Sequence, residues 1–302
     1  MDVDAELPQL RALASYYADL GGMLWAAEQD GAIVGMVAVH ALPEGVWEIC
    51  QVYAHPALHG SGLGHALLDT AERFAATAER FVLWTDTRFE RAHRFYEKRS
   101  YVRSGPVRAL HDLSASLEYH YAKPRNGIEA LDVAAAESAI PRLSAILTAC
   151  VAEGAGVSFL PPLAPTTAAA FWRDTARDVA LGRKILLAGW VDGVLAGTVT
   201  LAIAMPENQP HRAEAAKLLV DPAARRHGLA RRLMARLEQE ALAVGRPLLM
   251  LDTQAGSWAE ALYRSMGWHA LGTMPGHALL MDGTFGDTVF FWKRVEPSIQ
   301  PR

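Results

Sequence analysis

The hydrophobic pattern along this chain is clearest between Glu214 and Pro247. Glu214 to Val220 contains no turn-forming residue before Asp221-Pro222, which predicts a buried strand that ends at the proline. From Leu229 onward, apolar side chains recur at helical spacing until Gly245 and Pro247. The pattern therefore predicts a strand, a short turn and a helix.

The turn between these two elements is basic and contains a glycine. Its residues are Arg225, Arg226, His227, Gly228, Leu229 and Ala230, followed by Arg231. Such a turn exposes unpaired backbone N–H groups beside the positive end of the helix dipole, where a phosphate or pyrophosphate is favoured. The alternative is a simple connection whose basic residues serve solubility.

The same pattern occurs earlier in the chain, which indicates two copies of one domain. Glu48 to Pro56 is followed by a turn that consists of His59, Gly60, Ser61, Gly62, Leu63 and Gly64. The pairs at a spacing of 166 positions are Glu48 and Glu214, Pro56 and Pro222, Gly62 and Gly228, and Asp86 and Asp252. Tyr96 and Tyr263 are 167 positions apart. We therefore predict domains over residues 1–123 and 127–302, joined by a polar linker.

Periodicity and turn signals predict mixed α/β structure in each half. In the first half we expect helices at Leu7–Leu20, from the glycine turn to about Glu79, and at Glu90–Lys98, with strands at Met23–Ala27, Ala32–Ala41, Val46–Ala54, Phe81–Asp86, Tyr101–Val107 and Leu117–Ala122. In the second half we expect, besides the strand and helix above, helices at Ser138–Glu153, Thr166–Leu181 and Trp258–Met266, with strands at Ile128–Leu131, Ile185–Val191, Val194–Ala204, Leu248–Thr253, Trp268–Thr273 and Asp287–Lys293.

This order of elements resembles the GNAT superfamily of acetyl-coenzyme A-dependent N-acetyltransferases. The resemblance rests on a strand ending in proline, the glycine turn, a helix, a second strand, and an Ala-x-x-x-Tyr-like segment, and it covers nearly the whole chain twice. The second half also resembles the tabtoxin resistance proteins of that superfamily, through Pro206–Arg212, Leu251–Thr253 and Met281–Thr284.

The resemblance implies an α/β fold of two tandem GNAT domains, each a mostly antiparallel twisted sheet flanked by helices. The opening strand and helix of the family are predicted only in the second half, at Ile128–Leu131 and Ser138–Glu153. The first half is therefore expected to have an uncovered sheet edge, which the second half or another copy of the chain, as in a homodimer, would have to cover.

The resemblance also implies the cosubstrate and the site residues. Acetyl-CoA is expected as cosubstrate and no metal is expected. Its pantetheine arm would bond backbone groups near Leu218, Leu219 and Val220, and in the first copy near Val52, Tyr53 and Ala54. The candidate bases are Glu214 and Asp252, with Glu48 and Asp86 in the first copy, and the candidate acids are Tyr263 and Tyr96. The alternatives are a solvated strand end for Glu214, a helix cap for Asp252 and a core position for Tyr263.

Composition limits the classes of partner and the cellular location that can be expected. The chain has 302 residues, 51% apolar, with a net charge of −4, so it has no general attraction for nucleic acid or an anionic membrane. Cys50 and Cys150 fall in different copies without metal-like spacing and are read as core thiols. No signal peptide and no apolar segment long enough to span a bilayer is predicted, and a cytoplasmic protein is expected.

The function predicted is acetyl transfer to a primary amine of a small molecule, of amino-acid-like or antibiotic-like chemistry. One alternative is that only the second half is catalytic and the first half binds coenzyme or a partner. Another is a protein lysine or N-terminal acetyltransferase. A dinucleotide fingerprint is excluded because His65 occupies the position of its third glycine. Acceptor choice is expected in the loops Met205–Arg212 and Gly276–Gly286.

Overall fold

The computed structural model describes residues 12–110 and 116–296. The chain divides into two compact units. The first contains the residues up to Tyr96 together with Arg103–Arg125, and the second contains Glu97–Val102 together with the residues from Asn126 onward. Part of the helix predicted at Leu7–Leu20 lies outside the described residues.

The elements up to residue 124 form the first sheet and its helices. They are α1 (Leu13–Asp19), β1 (Met23–Gln29), β2 (Ala32–Ala41), β3 (Val46–Ala54), α2 (Leu63–Phe74), β4 (Arg80–Asp86), α3 (Glu90–Lys98), β5 (Val102–Arg103), β6 (Arg108–Ala109) and β7 (Leu117–Pro124). The strand order is β1-β2-β3-β4-β7-β5, and β6 pairs with β7. The strand predicted at Tyr101–Val107 is wrong in extent, because only Val102–Arg103 of it forms a strand and β6 begins after it. Helix α2 buries Leu67, Leu68 and Ala71 and packs against β2 and β3.

The elements from residue 127 onward form a second sheet of seven strands. They are β8 (Gly127–Ala130), α4 (Val133–Ala152), α5 (Pro165–Ala180), β9 (Lys184–Val191), β10 (Val194–Ala202), β11 (Arg212–Val220), α6 (Leu229–Ala243), β12 (Leu248–Gln254), α7 (Trp258–Ser265), β13 (His269–Leu279) and β14 (Phe285–Arg294). The strand order is β13-β14-β12-β11-β10-β9-β8. The opening strand β8 and helix α4 have no counterpart before β1 in the described part of the first unit, as predicted.

Two hydrophobic clusters fill the second unit, one on each face of its sheet. One cluster contains Leu233 and Leu237 of α6, and the other contains Leu147 of α4 and Trp172 of α5. Alternate residues of a strand point to opposite faces, and the adjacent residues Leu186 and Leu187 of β9 belong to different clusters. The sheet is therefore packed between α6 and the α4–α5 pair.

Helix α4 begins earlier than predicted. Asp132 accepts a hydrogen bond from the backbone N–H of Ala135 at 2.8 Å and caps the helix there, so the predicted start at Ser138 is wrong. By length and composition α4 could span a membrane, which corrects the expectation that no segment is long enough. Half of its apolar window is buried within the protein, where Leu143 and Leu147 belong to the core.

The last two strands extend further than periodicity indicated. Strand β13 continues to Leu279 and β14 begins at Phe285, so most of the segment Gly276–Gly286 is a hairpin and the prediction of a loop there is wrong. The polar linker is also shorter than predicted, because β7 ends at Pro124 and β8 begins at Gly127. Both errors have the same cause: polar residues and glycines within these strands resemble loop sequence.

Candidate functional site

A groove opens where β11 and β12 separate. The two strands pair in parallel only as far as Glu214 opposite Met250, after which β11 continues to Val220 beside β10 alone. The cavity in this gap has a volume of about 230 Å³. It is lined by Cys150, Glu153–Ser158, Ala215–Val220, Arg225, Asp252–Gln254, Ser257–Ala259 and Tyr263. The lining includes Leu218, Leu219 and Val220, near which the family resemblance implied that the coenzyme arm would bond the backbone.

The start of α6 adjoins this groove and has the geometry of an anion site. Gly228 precedes the helix with a φ of 71°, in the left-handed region that favours glycine, and no side chain caps the helix there. The N–H groups of the first turn have no partner within the helix itself. These N–H groups lie at the positive end of the helix dipole, and both features favour binding of a phosphate group at this position. Gly62 repeats the conformation before α2, with a φ of 94°.

The basic residues of the second turn have different positions. Arg226 and His227 are exposed, whereas Arg225 lines the groove, where its Nη1 donates to Oε2 of Glu153 at 2.5 Å. The Nε of Arg225 is buried and has no hydrogen-bond partner among the described residues. Arg231 donates from Nη2 to Ser265 Oγ at 2.7 Å. Glu153 was not a predicted site residue, because it reaches Arg225 from α4.

Asp252, Lys217 and Tyr263 come together on the groove wall. Burial raises the pKa of Tyr263, and the nearby charge of Asp252 raises it further. Burial lowers the pKa of Lys217, an effect that Asp252 opposes. The Nζ of Lys217 lies 3.3 Å from Ser158 Oγ and 5.6 Å from the ring centre of Phe171. Sequence reasoning missed Lys217, although a lysine inside an apolar strand was the signal that could have found it.

Glu214 and Asp252, the two acids predicted for this copy, lie on the same face of the sheet but have different surroundings. Glu214 lies opposite Met250, and Asp252 follows two residues later, so alternation places both carboxylates on the same side. Glu214 is not among the groove residues, and its Oε1 pairs with Arg212 Nη2 at 3.0 Å. The alternative role of Asp252 as a helix cap is wrong, since Ser257 Oγ caps α7 by accepting from Glu260 N at 3.2 Å.

Asp86 is not the structural counterpart of Asp252, and this part of the predicted repeat is wrong. Strands β4 and β12 start at Arg80 and Leu248, which are 168 positions apart rather than 166. Helix α6 has 15 residues against 12 for α2, and the connection after it is one residue shorter, so the next strand is shifted by two positions. Counted along the strands, Asp252 corresponds to Trp84.

Asp86 has a local structural role in the first unit. Its Oδ1 accepts from the backbone N of Arg88 at 2.8 Å, and the guanidinium of Arg88 donates to the same carboxylate. These contacts lower the pKa of Asp86 to about 2. At the position equivalent to Asp252, Trp84 is covered by the guanidinium of Arg108, 4.0 Å from the ring centre.

The remaining candidates of the first unit surround β3. Burial raises the pKa of Tyr96, with smaller contributions from Tyr53 and Cys50. His59 lies on the exposed surface and its Nε2 is 3.1 Å from the carbonyl oxygen of Ala54, whereas the equivalent Arg225 faces a groove. The glycine turns of the two units therefore have the same backbone conformation at Gly62 and Gly228 but different side chains at His59 and Arg225.

Comparison with known proteins agrees with this architecture. The sequence matches the Acetyltransferase (GNAT) family over residues 3–101 and 157–268. It is 36% identical over 106 residues to an uncharacterized N-acetyltransferase in the hisH-hisA intergenic region of Azospirillum brasilense, a match that covers 34% of this chain and 61% of the relative. It is 37% identical over 79 residues to an amino-acid acetyltransferase of Mycobacterium tuberculosis, covering 24% of this chain and 45% of the relative. The chain thus spans less than two thirds of the length of these curated relatives.

Among solved structures, yncA from Salmonella typhimurium, with its cofactor acetyl-CoA, has a TM-score of 0.48 and 19% identity, and the match covers 59% of this chain and 98% of that one. The family match is the stronger finding, because it includes both halves and well over half of the residues. The protein therefore belongs to the GNAT family of acetyltransferases.

Proposed function

We propose that the second unit transfers the acetyl group of acetyl-CoA to the primary amine of a small molecule. The observation that carries this proposal is the groove between β11 and β12, which contains Asp252 and Tyr263 and adjoins the uncapped start of α6. Few groups are needed for such a transfer: a bound thioester, a neutral amine and a proton for the departing thiolate.

The residues present suit this cosubstrate. The N–H groups after Gly228 would hold the pyrophosphate, with Arg225 close enough to add a charge-assisted contact. The edge of β11 from Ala215 to Val220 is not paired with β12, so its backbone is available to the pantetheine arm. The thiol of Cys150 already donates to the carbonyl of Val220 at 3.3 Å, which leaves one lone pair of that oxygen. Acetyl-CoA would supply the activated acyl group.

Within the groove we assign the base to Asp252 and the acid to Tyr263. Asp252 would accept a proton from the incoming ammonium, directly or through one water. A tyrosine carries its proton at neutral pH, and burial and the neighbouring carboxylate raise the pKa of Tyr263 further. It can therefore protonate a thiolate that leaves on the buried side of the groove. The Asp252 carboxylate favours the charged form of Lys217, against the effect of burial on the pKa of that lysine.

The acceptor that we propose is small and amino-acid-like. A cavity of about 230 Å³ is smaller than the usual ligand pocket, which has roughly 300 Å³ or more. The name of the Mycobacterium tuberculosis relative and the short segments that resemble the tabtoxin resistance proteins support the same chemistry. We further propose that the protein acts in the cytoplasm and needs neither nucleic acid nor a membrane.

The test is a turnover screen with acetyl-CoA across amino acids, aminoglycosides and a lysine peptide. On an accepted amine, Tyr263→Phe should lower turnover by roughly ten- to a thousandfold with little change in coenzyme affinity. Tyr96→Phe is the matched change in the first unit. A large loss from Tyr96→Phe with none from Tyr263→Phe would reverse the assignment, and acceptance of the lysine peptide alone would make the protein a protein acetyltransferase.

A further inference from the structure

Three side chains of different ligand chemistry converge on one face of the first sheet. His40 of β2 lies directly opposite Glu48 of β3, and Cys50 follows two residues later on the same face. His40 Nε2 and Glu48 Oε2 are 3.3 Å apart, and one ligand atom from each of the three residues falls within 4.8 Å of the others. The sequence showed no metal-like spacing, because the three residues belong to two strands of one hairpin and come together only when these strands pair in register.

Groups around the cluster hold His40 in the orientation that is usual for a metal-binding histidine, with one ring nitrogen facing a backbone carbonyl. The Nδ1 of His40 lies 3.4 Å from the carbonyl oxygen of Ala41, which leaves Nε2 directed at the cluster. Tyr17 is buried, and its ring centre lies 6.0 Å from that of His40, so it packs beside the cluster. The side chains of His40 and Glu48 are 12% and 21% exposed, so an ion can enter from solvent.

The second copy shows that the fold does not require this cluster. At the equivalent cross-strand pair, Ala202 lies opposite Glu214, so the glutamate is kept and the histidine is replaced. The position equivalent to Cys50, 166 residues later, is Ala216. The first unit therefore carries two additional ligand groups at positions where the same backbone accepts alanine.

A nucleophilic Cys-His-acid arrangement does not fit this geometry. In such a triad the acid holds one ring nitrogen while the other receives the proton of the nucleophile. Here Glu48 lies on Nε2, and Nδ1 faces the carbonyl of Ala41. The three groups converge on a common point instead, which is the arrangement that a cation needs.

We propose that His40, Glu48 and Cys50 form a zinc-binding site in the first unit. Imidazole nitrogen, carboxylate oxygen and thiolate sulfur together suit Zn²⁺, which binds all three donor types. Three protein ligands leave the fourth tetrahedral position to water or another small ligand. Binding would require the thiolate form of Cys50 and an Nε2 of His40 that carries no proton, so protons would be released when the ion binds.

Zinc binding is measured on the full chain after treatment with a chelator and removal of the chelator. Titration with Zn²⁺ should give one ion per chain and raise the thermal midpoint, because the ion binds the folded state. Co²⁺ in place of Zn²⁺ should produce the near-ultraviolet absorption of a cobalt–thiolate bond. Cys50→Ser should abolish that absorption and weaken Zn²⁺ binding by about tenfold or more, and the matched change Cys150→Ser should alter neither.

Glu48→Gln and His40→Gln provide independent readouts, should Cys50→Ser fail to fold. Each should retain the cobalt–thiolate absorption only at higher Co²⁺ concentration, since two ligands remain. The proposal is wrong if the chelator-treated wild type binds no Zn²⁺. It is also wrong if Cys150→Ser, rather than Cys50→Ser, removes the absorption.

Discussion

Gln51 and Lys217 interrupt equivalent strands with nearly the same left-handed backbone conformation, at φ angles of 52° and 55°. They are 166 positions apart, and beside each of them the pairing with the preceding strand shifts register. A bulge of this kind bends a strand and breaks its ladder locally. Both units keep the bulge although neither residue is glycine, which indicates that the bend separating β11 from β12 belongs to the fold itself.

The bulge conformation should have a measurable stability cost. Lys217→Gly and Lys217→Ala remove the same side-chain contacts but differ in their tolerance of positive φ. We expect the glycine variant to unfold with a free energy higher by about 1 kcal/mol than the alanine variant. Gln51→Gly and Gln51→Ala form the second pair and should show the same order in chemical denaturation. If the alanine and glycine variants are equally stable at both positions, the positive φ angle has no stability cost there and the prediction is wrong.

Arg225 and Glu153 should affect coenzyme affinity in opposite directions. Arg225→Glu places an anion where we propose the pyrophosphate, so the dissociation constant of acetyl-CoA should rise. Glu153→Gln releases the guanidinium from its competing carboxylate, so the dissociation constant should fall. Calorimetric titration measures both.

Arg173→Glu is the control for net charge, because Arg173 is exposed on α5 and does not line the groove. It should change coenzyme affinity little. If Arg225→Glu has no larger effect than Arg173→Glu, the turn is not the pyrophosphate site.

Sequence patterns predicted most strands, the glycine turns and the tandem arrangement, because these depend on local periodicity and on two stretches that repeat in register. The equivalence of Asp86 and Asp252 failed for a physical reason: α6 is longer than α2 by three residues, and the spacing after it changes. An identical residue at a constant offset is therefore weaker support than an identical position in a strand ladder.

The contents of the groove were predicted less well. Glu153 and Cys150 reach it from the end of α4, which is distant in sequence from β11. Outside the groove, the proposed zinc ligands His40 and Glu48 meet through cross-strand pairing rather than through a spacing motif. Helix packing brings the first pair to the groove and strand register brings the second pair together, and hydrophobic periodicity encodes neither.

Asp252, rather than Glu214, should carry the base function. Asp252 lies in the groove near Tyr263, whereas Glu214 lies outside it in an ion pair with Arg212. Asp252→Asn should therefore lower kcat by about a hundredfold or more, and Glu214→Gln by clearly less. Steady-state kinetics on one accepted amine over a range of pH is the measurement. Since a more basic medium supplies more neutral amine, the loss in Asp252→Asn should shrink as pH rises.

Comparing the kcat of Asp252→Asn with that of Glu214→Gln also identifies the base if the prediction is wrong. A larger loss from Glu214→Gln would make Glu214 the base and would require the acceptor to enter from the Arg212 side. Equal small losses would mean that solvent takes the proton.

Asp86 should make the first unit sensitive to acid. Its pKa is lowered from 3.8 to about 2 by the hydrogen bonds from Arg88, so the folded state binds a proton less readily than the unfolded state. The resulting stabilisation is fully present above pH 3.8 and is lost as the pH falls toward 2. Asp86→Asn removes the titrating group, so its thermal midpoint should fall less steeply over this interval than that of the wild type. Arg88→Ala removes the donor instead and should flatten the same part of the profile, while parallel profiles for all three proteins would show that this contact does not govern acid stability.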